Sequence, residues 1–366
     1  MVAMANCSYA FTHSAVDRQC QYHSHKRDSR LSASVKDIPE SYPLARKRLI
    51  QKARDLDPSL STSGKGSYSS IGWSNRLGTV LTPAAIPGVY TACRPFLWNK
   101  IDVGCRMTVI ELSTSSDGQK PDLFIHSPVL LDNTLKDAIE KLGTVKHVVS
   151  PNYEHVKFAK MWGAAFSEAN MWACPGMIER EEGRWTGEIP YSTRPPNFPM
   201  QGSGPAPVDG MWDWNEVQPL HFDTEVNPFT NRPFFNEVVF FHTPSKTLIT
   251  TDTYWNYPKG DGVTNSNYQD MNDSKEDYGP WELAPSVEKI PFGSQAWKVG
   301  MDKLFRPFYM NLMVKNDKRD EFKKITSFMS GIGENAWDVE TIIPAHGDIV
   351  RGSDLTKKVL KEHFNL

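Results

Sequence analysis

The order of strand and helix patterns between residues 106 and 175 limits this chain to few folds. The segment 106-RMTVIELS-113 alternates as a strand, and 122-DLFIHSPV-129 predicts its returning partner. Four further patterns follow in the order helix, strand, helix, strand: 134-TLKDAIEKLG-143, 145-VKHVVS-150, a helical face through Val156, Ala159, Trp162 and Phe166, and 170-NMWACP-175. This alternation predicts an α/β protein in which helices cover a sheet.

The second half of the chain predicts a β-hairpin, a final strand and a final helix. The hairpin covers 236–256 and turns at 244–246. The final strand, within 338–352, runs into a Pro-Ala-His-Gly turn, and an amphipathic helix follows at 354–364. Two helical stretches, around 299–315 and 320–330, precede that strand.

The first 75 residues differ in composition from the rest of the chain. Residues 1–16 contain no charged side chain, and residues 17–36 are rich in Ser with more basic than acidic groups. This resembles an organelle transit peptide, and a disordered tail is the alternative. A short helical pattern at 44–56 and a Ser/Gly-rich linker at 61–72 follow.

These patterns predict an N-terminal extension and one large domain. The extension covers 1–75 and the domain 76–366. Two segments interrupt the domain: 176–235 is rich in Pro and Trp, and 257–297 is rich in Gly, Asn and Asp. We expect the first to be an ordered insertion and the second to be a long surface loop.

Composition excludes several classes of function. The net charge is -2 and no basic stripe accompanies the aromatic residues, so we expect no nucleic-acid partner. No apolar run reaches about 18 residues, so we expect no membrane span. The five Cys are scattered without a CxxC pair, which argues against a disulfide framework or a Cys-rich zinc site. Phosphate-binding, dinucleotide-binding and nucleophile-elbow motifs are absent from the sequence.

Residues of metal-binding type follow three of the predicted strands. They are Glu154 with His155, then Asp252, then His346. Strand ends of a layered α/β fold meet at one rim, so we expect these side chains to converge. Two carboxylates and two imidazoles suit Zn, Fe or Mn better than Ca. Three protein ligands with one open position would lower the pKa of a bound water towards neutrality.

Structural roles are the alternative for each of these residues. Asn152 could cap a helix that carries Glu154 in its first turn. Asp252 could close a turn at the end of a strand, and His346 could bond to a neighbouring loop. The remaining strand histidines are expected in the core or at its rim: His126, His147 and His242.

Several segments resemble the DUF4336 family, a poorly characterised branch of the metallo-β-lactamase fold found among other places in photosynthetic organisms. They are 97-LWNKIDVGCRMTVIEL-112, 125-IHSPV-129, 151-PNYEH-155 and 236-NEVVFFHTPSKTLITTD-252. The order of the elements, Asp252 after the hairpin and 342-IIPAHGDIV-350 resemble the metallo-β-lactamase fold more broadly. The resemblance implies a four-layer αββα sandwich. With the transit-like N-terminus it implies a plastid location, and the mitochondrion and the cytoplasm are alternatives.

The sequence departs from the H-x-H-x-D-H motif of that fold. Ser150 and Asn152 stand where the motif has two His, Glu154 replaces its Asp, and His155 matches. The fold also has a His before the hairpin, and His221 lies roughly 15 residues too early for it, although the insertion could fold it back. The resemblance therefore implies that the first metal site is dismantled.

The second metal site of the fold could survive in this chain. The resemblance implies at most one Zn, Fe or Mn ion, held by Glu154, His155, Asp252 and His346, with Asp252 and His346 also catalytic. Such a protein would hydrolyse an ester, thioester or phosphoester. The alternative is a pseudoenzyme that serves as a binding or assembly module. The partner is an unidentified small molecule or protein in either case.

Overall fold

The computed structural model of the protein describes residues 69–70, 81–94, 96–98, 101–199, 204–257, 292–347 and 349–366. Several predictions concern other parts of the chain and lie outside the described residues: the transit-like segment, the helix at 44–56, most of the linker at 61–72, and residues 258–291 of the predicted surface loop.

The described residues form fifteen strands in three sheets. In chain order the strands are β1 (Ser69–Ser70), β2 (Thr82–Ile86), β3 (Val89–Arg94), β4 (Leu97–Trp98), β5 (Ile101–Asp102), β6 (Cys105–Glu111), β7 (Asp122–His126), β8 (Thr144–Ser150), β9 (Asn170–Ala173), β10 (Gly187–Glu188), β11 (Val217–His221), β12 (Val238–His242), β13 (Thr247–Thr250), β14 (Thr341–Pro344) and β15 (Val350–Arg351).

Two large mixed sheets carry the fold. The first has seven strands in the spatial order β10-β9-β8-β7-β6-β3-β2, and the second has five in the order β11-β12-β13-β14-β15. Strands β7, β8 and β9 run parallel, as do β13 and β14. A small third sheet joins β1, β5 and β4.

Helices connect and cover the strands. They are α1 (Asn133–Leu142), α2 (Ala159–Ala165), α3 (Phe292–Gly300), α4 (Arg319–Met329) and α5 (Ser353–Phe364). A helical segment with two π turns, Met301–Phe305 and Tyr309–Met313, continues α3. No helix in the described part of the chain is long and apolar enough to cross a membrane.

Three apolar clusters show that the two large sheets pack face to face with helices outside. Between the sheets, Phe124 of β7 meets Phe240 of β12 with ring centroids 5.5 Å apart. On the outer face of the first sheet, β-strand residues pack against α1 and α2: Val109, Ile125, Val148, Leu135, Ile139 and Trp162. On the outer face of the second sheet, they pack against α4 and α5: Val239, Phe241, Leu248, Ile325, Phe328 and Leu360. These layers confirm the predicted αββα sandwich.

The segment 176–235 is more regular than its Pro content predicts. It contributes β10 to the edge of the first sheet and β11 to the edge of the second. Strand β11 pairs only with β12, and Pro219 lies opposite Phe240. An edge strand tolerates Pro because one side of the strand needs no N–H donors.

Two further elements differ from the sequence patterns. Helix α3 begins at Phe292, inside the segment predicted as a loop up to residue 297. Strands β2 and β3, which continue the first sheet beyond β6, were not predicted. Pro83 and Ala84 of β2 carry little strand propensity. Pairing with β3, which in turn pairs with β6, stabilises β2 instead.

Candidate metal centre

His155, Asp252 and His346 meet at the rim between the two large sheets. His155 follows β8 of the first sheet, whereas Asp252 and His346 follow the parallel neighbours β13 and β14 of the second. The two imidazole Nε2 atoms lie 3.2 Å apart. Asp252 Oδ2 lies 3.2 Å from His155 Nε2, and Asp252 Oδ1 lies 3.3 Å from His346 Nε2. In the described part of the chain, this is the one such group of three His, Cys, Asp or Glu residues.

The spacing of the facing nitrogen and oxygen atoms suits one bound metal ion. Nitrogen and oxygen ligands of zinc bind at about 2.0–2.1 Å, so tetrahedral ligand atoms lie about 3.3–3.4 Å from one another. The two Nε2 atoms lie 3.2 Å apart, and each faces a different oxygen of Asp252: His155 Nε2 lies 3.2 Å from Oδ2 and His346 Nε2 lies 3.3 Å from Oδ1. One ligand atom from each residue lies within 4.8 Å of the other two. Three protein ligands leave a fourth position for water or substrate, which is the arrangement of catalytic zinc sites.

The outer nitrogen of each imidazole is held by a neighbouring group. His346 Nδ1 donates to the carbonyl oxygen of Gly104 at 2.6 Å, and because a carbonyl only accepts, Nε2 keeps its lone pair for the centre. His155 Nδ1 lies 2.7 Å from Ser127 Oγ and 3.6 Å from Cys105 Sγ. Contacts of this kind fix the orientation and tautomer of metal-ligating histidines.

Aromatic rings limit the rotation of both imidazoles. Phe96 stacks on His155 with centroids 5.3 Å apart and planes 9° apart. Tyr257 stacks on His346 at 6.3 Å and 26°. Phe96 also meets His346 edge-on at 6.2 Å. The rings therefore form apolar walls that exclude water from two sides of the centre.

The buried carboxylate of Glu237 shapes the loop that carries Asp252. It accepts hydrogen bonds from three consecutive backbone amides, those of Thr251, Asp252 and Thr253, at 2.6, 2.7 and 2.6 Å. His363 of α5 donates from Nε2 to the Thr253 carbonyl oxygen at 3.1 Å. The loop thus presents the Asp252 side chain in one conformation.

Asn152 links the segment that carries His155 to the loop that carries Asp252. Its Oδ1 accepts from the backbone amides of Glu154 at 3.0 Å and His155 at 2.8 Å. Its Nδ2 donates to Asp252 Oδ2 at 2.6 Å and to Thr251 Oγ1 at 2.8 Å. The capping role predicted for Asn152 is therefore present, but no regular helix starts there, because α2 begins at Ala159.

The carboxylate of Asp252 and the imidazole of His155 each stabilise the charged form of the other. Burial disfavours ionisation of Asp252, but the charge of His155 and hydrogen bonds from His155 and His346 hold its pKa well below the usual range. Burial likewise disfavours a charged His155, yet the Asp252 carboxylate raises the pKa of His155 well above its ordinary value. A positive charge next to Asp252, from a proton or a metal ion, therefore suits this site.

Glu154 is close to the group of three but is not part of it. Its side chain is half-buried, and burial together with the Asp252 charge raises its pKa to about 7. Within the described residues, only His155, Asp252 and His346 bring their ligand atoms within 4.8 Å of one another.

The other candidate histidine, His221, is engaged elsewhere. Its Nδ1 accepts from the Ser192 amide at 3.0 Å, so its Nε2 donates to Asn236 Oδ1 at 3.0 Å. It ties the Pro/Trp-rich segment to β12 and does not join the group of three. His147 accepts from Trp172 Nε1 at 3.1 Å, and His242 lies 2.6 Å from Ser245 Oγ, as expected of core and rim histidines.

The turn that carries His346 requires Gly at position 347. Gly347 has φ +93°, and a Cβ there would lie 2.2 Å from the carbonyl oxygen of Asn256. The Asn256 amide donates to the His346 carbonyl at 3.0 Å, which keeps the two backbones in contact. The Ala-His-Gly sequence thus lets a second chain segment lie directly against His346.

One known protein family matches part of the chain. Residues 96–261 match the sequence profile described as "Domain of unknown function (DUF4336)". These residues belong to the DUF4336 family. The DUF4336 match includes His155 and Asp252, whereas His346 lies beyond it. The packing of the two large sheets agrees with the four-layer αββα sandwich that the resemblance to the metallo-β-lactamase fold implied.

Solved structures similar to this chain share little sequence with it. A metallo-β-lactamase from Hirschia baltica is 10% identical with a TM-score of 0.41, covering 78% of this chain and 98% of that one. The Flv1 flavodiiron core from Synechocystis sp. PCC6803 is 10% identical with a TM-score of 0.45, covering 78% and 61%. Rubredoxin oxygen:oxidoreductase from Desulfovibrio gigas is 12% identical with a TM-score of 0.42, with the same coverage. No curated protein matches the sequence.

Proposed function

We propose that this DUF4336 protein is a hydrolase that binds one Zn, Fe or Mn ion through His155, Asp252 and His346. The observation that carries the proposal is the convergence of one ligand atom from each of these three residues to within 4.8 Å of the other two, with the two Nε2 atoms 3.2 Å apart. When bound, such an ion supplies Lewis acidity and an ionisable water at neutral pH. The substrate class that suits this chemistry is an ester, thioester or phosphoester.

Each residue around the proposed ion has its own role. Asp252 stays ionised and balances the charge of a cation. His155 and His346 present their Nε2 lone pairs while Ser127 and Gly104 hold their outer nitrogens. Glu154, beside the triad, offers a carboxylate that can accept a hydrogen bond from a water or a substrate. The departures from the H-x-H-x-D-H motif leave no second set of ligands among the described residues.

A non-catalytic binding or assembly module is the second candidate, and one observation favours it. A single proton on His155 Nε2 could satisfy both Asp252 Oδ2 and His346 Nε2, which lie 3.2 Å away. The rim would then be held by hydrogen bonds and would need no metal. Metal content separates the two candidates.

The first experiment is elemental analysis of the purified full chain by plasma mass spectrometry. We expect about one equivalent of Zn, Fe or Mn in the wild-type protein, lost in His346→Ala and in Asp252→Asn. His242→Asn is the matched control, because it alters a histidine bonded to Ser245 outside the triad. Metal-free wild-type protein after growth and purification with each metal would overturn the metal site and favour the binding module.

Hydrolysis is then tested with chromogenic substrates on the metal-loaded protein. p-Nitrophenyl acetate, p-nitrophenyl phosphate and an acyl thioester represent the three bond types. Turnover that follows metal content and is lost in His346→Ala supports the hydrolase. Stoichiometric metal without turnover of any of the three would restrict the protein to a metal-binding role.

A further inference from the structure

The segment Gly104–Cys105–Arg106 at the start of β6 contacts both histidines of the proposed metal site. Gly104 accepts the hydrogen bond from His346 Nδ1 at 2.6 Å. Cys105 Sγ lies 3.6 Å from His155 Nδ1 and 3.5 Å from Ser127 Oγ. No part of the proposed hydrolysis needs a charged residue in this segment, yet Arg106 follows directly and its side chain is buried.

Arg106 is bound to the turn that carries His346. Its Nη1 donates to the carbonyl oxygens of Pro344 and Gly347, both at 2.7 Å. Its backbone amide donates to the Ala345 carbonyl at 2.8 Å. With the Asn256 amide on the His346 carbonyl, every carbonyl from residue 344 to residue 347 has a donor. Arg106 is 4% exposed, so these bonds are shielded from water.

Arg106 also crosses between the two sheets. It belongs to β6 of the first sheet, and His155 follows β8 of that same sheet. Its side chain donates hydrogen bonds to the turn after β14 of the second sheet. The proposed site takes ligands from both sheets, so the distance between the histidines depends on how the sheets are joined here. A planar guanidinium with several fixed donors suits this task better than a flexible ammonium.

We propose that Arg106 is a positioning residue that holds His346 in its ligating orientation across the two sheets. The inference rests on the proposed metal site for its consequence, but the contact between Arg106 and the His346 turn exists without an ion. Loss of the guanidinium frees two carbonyls of the turn and loosens the bond between His346 Nδ1 and Gly104. The Nε2 atom of His346 then no longer stays beside His155 Nε2 and Asp252 Oδ1.

The first test is the affinity of the full chain for zinc and the spectrum of its cobalt form. We expect Arg106→Met and the milder Arg106→Lys to bind zinc about 10–100-fold more weakly than wild type, as changes behind metal ligands do. The visible cobalt bands of a four-coordinate site should weaken in both. Arg184→Met is the matched control, since Arg184 donates to the carbonyls of Gly163, Phe166 and Ala169 and contacts none of the triad.

The outcomes separate positioning from general stability. Folded Arg106→Lys with weakened zinc binding, beside Arg184→Met with wild-type affinity, supports the proposal. Zinc affinity within about twofold of wild type and an unchanged cobalt spectrum in Arg106→Lys would overturn it, because changes to residues that hold metal ligands in place normally weaken binding more than this.

A second measurement works on the metal-free protein and separates failure of this inference from failure of the proposed function. Nitrogen-15 NMR of the ring nitrogens should show His346 with its proton fixed on Nδ1 in wild type and averaged between both nitrogens in Arg106→Lys. If wild type takes up no metal, the metal site fails while this result still decides the role of Arg106. A His346 tautomer that stays fixed in Arg106→Lys contradicts that role.

Discussion

Asn152 donates to the Asp252 carboxylate at 2.6 Å while it accepts from the His155 amide at 2.8 Å. One buried amide side chain therefore fixes a ligand from each sheet, at a position where the H-x-H-x-D-H motif has a histidine. At this position the motif has a metal-binding His, whereas in this chain Asn152 positions two of the proposed ligands, His155 and Asp252.

Replacing Asn152 should weaken metal binding without removing a ligand. Asn152→Ala loses the bond to Asp252 and the cap, so we expect about 10–100-fold weaker zinc affinity and a loss of about 1 kcal/mol of stability from the cap. Asn152→Asp keeps an acceptor for the two amides but places a second negative charge beside Asp252. Zinc titration followed by urea unfolding measures both effects, with Asn197→Ala, at an exposed Asn, as control. Unchanged affinity in Asn152→Ala would show that the link is dispensable.

Glu237→Gln tests the loop that presents Asp252. The two Glu237 oxygens accept hydrogen bonds from three backbone amides. In a Gln variant the side-chain NH2 group replaces one of these oxygens, so at least one backbone N–H would face another donor and lose its hydrogen bond. An unsatisfied buried donor costs about 1–3 kcal/mol, and we expect a loss of that size together with weaker metal binding. Thermal unfolding with and without zinc checks this. A Gln variant as stable as wild type both with and without zinc would show that the loop does not depend on the carboxylate.

Gly347→Ala should destabilise the protein far more than Gly118→Ala. Both glycines have positive φ, +93° and +67°, which costs an L-residue roughly 1–2 kcal/mol. Only Gly347 lies against another backbone, where a Cβ would approach Asn256 O to 2.2 Å; nothing lies within 4 Å of a Cβ at Gly118. Urea midpoints of the two variants give the comparison. Similar losses for both would mean that the Asn256 segment moves away at little cost.

Acid should weaken the fold through Asp223, away from the metal centre. Burial disfavours its ionisation, but the Arg194 charge and the hydrogen bonds from Ser192 and Arg194 lower its pKa below the usual value. A lowered folded-state pKa means that the stabilisation is present above the unfolded pKa of about 3.9 and disappears as pH falls through the folded one.

Asp223→Asn should remove that dependence. The side chains of Arg194 and Asp223 are 3% and 2% exposed and lie 2.7 Å apart, so breaking the pair should cost about 3 kcal/mol at pH 7. Urea unfolding between pH 7 and pH 2 should show a smaller loss on acidification than wild type. Glu140→Gln, which breaks the exposed Lys136–Glu140 pair, should change stability by less than about 0.5 kcal/mol. An Asp223→Asn curve parallel to wild type would assign the acid sensitivity to other carboxylates.

Import into an organelle remains a prediction from residues 1–36, which lie outside the described residues. We expect a fluorescent reporter fused after this segment to enter plastids. The reporter alone is the control, and a fusion that stays in the cytosol contradicts the prediction.

Local patterns were sufficient to find the elements that end at the metal centre. Alternation revealed the hairpin of β12 and β13, and the Pro-Ala-His-Gly turn marked the end of β14. Asp252 and His346 come together because β13 and β14 pair in parallel, with Thr250 opposite Pro344. The strand ends were expected to meet at one rim, but this pairing was not predicted, because a period of two does not show which strands are neighbours.

The residues that support the ligands were not predictable in the same way. Arg106 and Glu237 look like solvent-facing positions at the starts of alternating strands, yet both are buried. Their partners lie in distant parts of the chain: the two carbonyls bound by Arg106 are 238 and 241 residues away. Side chains that satisfy backbone groups of a remote turn leave no periodic signal in the sequence.

Because the residues of the proposed metal site come from two sheets, the site forms late in folding. His155 and His346 are 191 residues apart in the chain and approach only after both sheets have formed and packed together. Contacts between distant residues form slowly because the intervening chain must first be ordered. Metal capture would therefore be among the last events of folding, and an ion that binds only the native state would slow the reverse reaction more than it speeds the forward one.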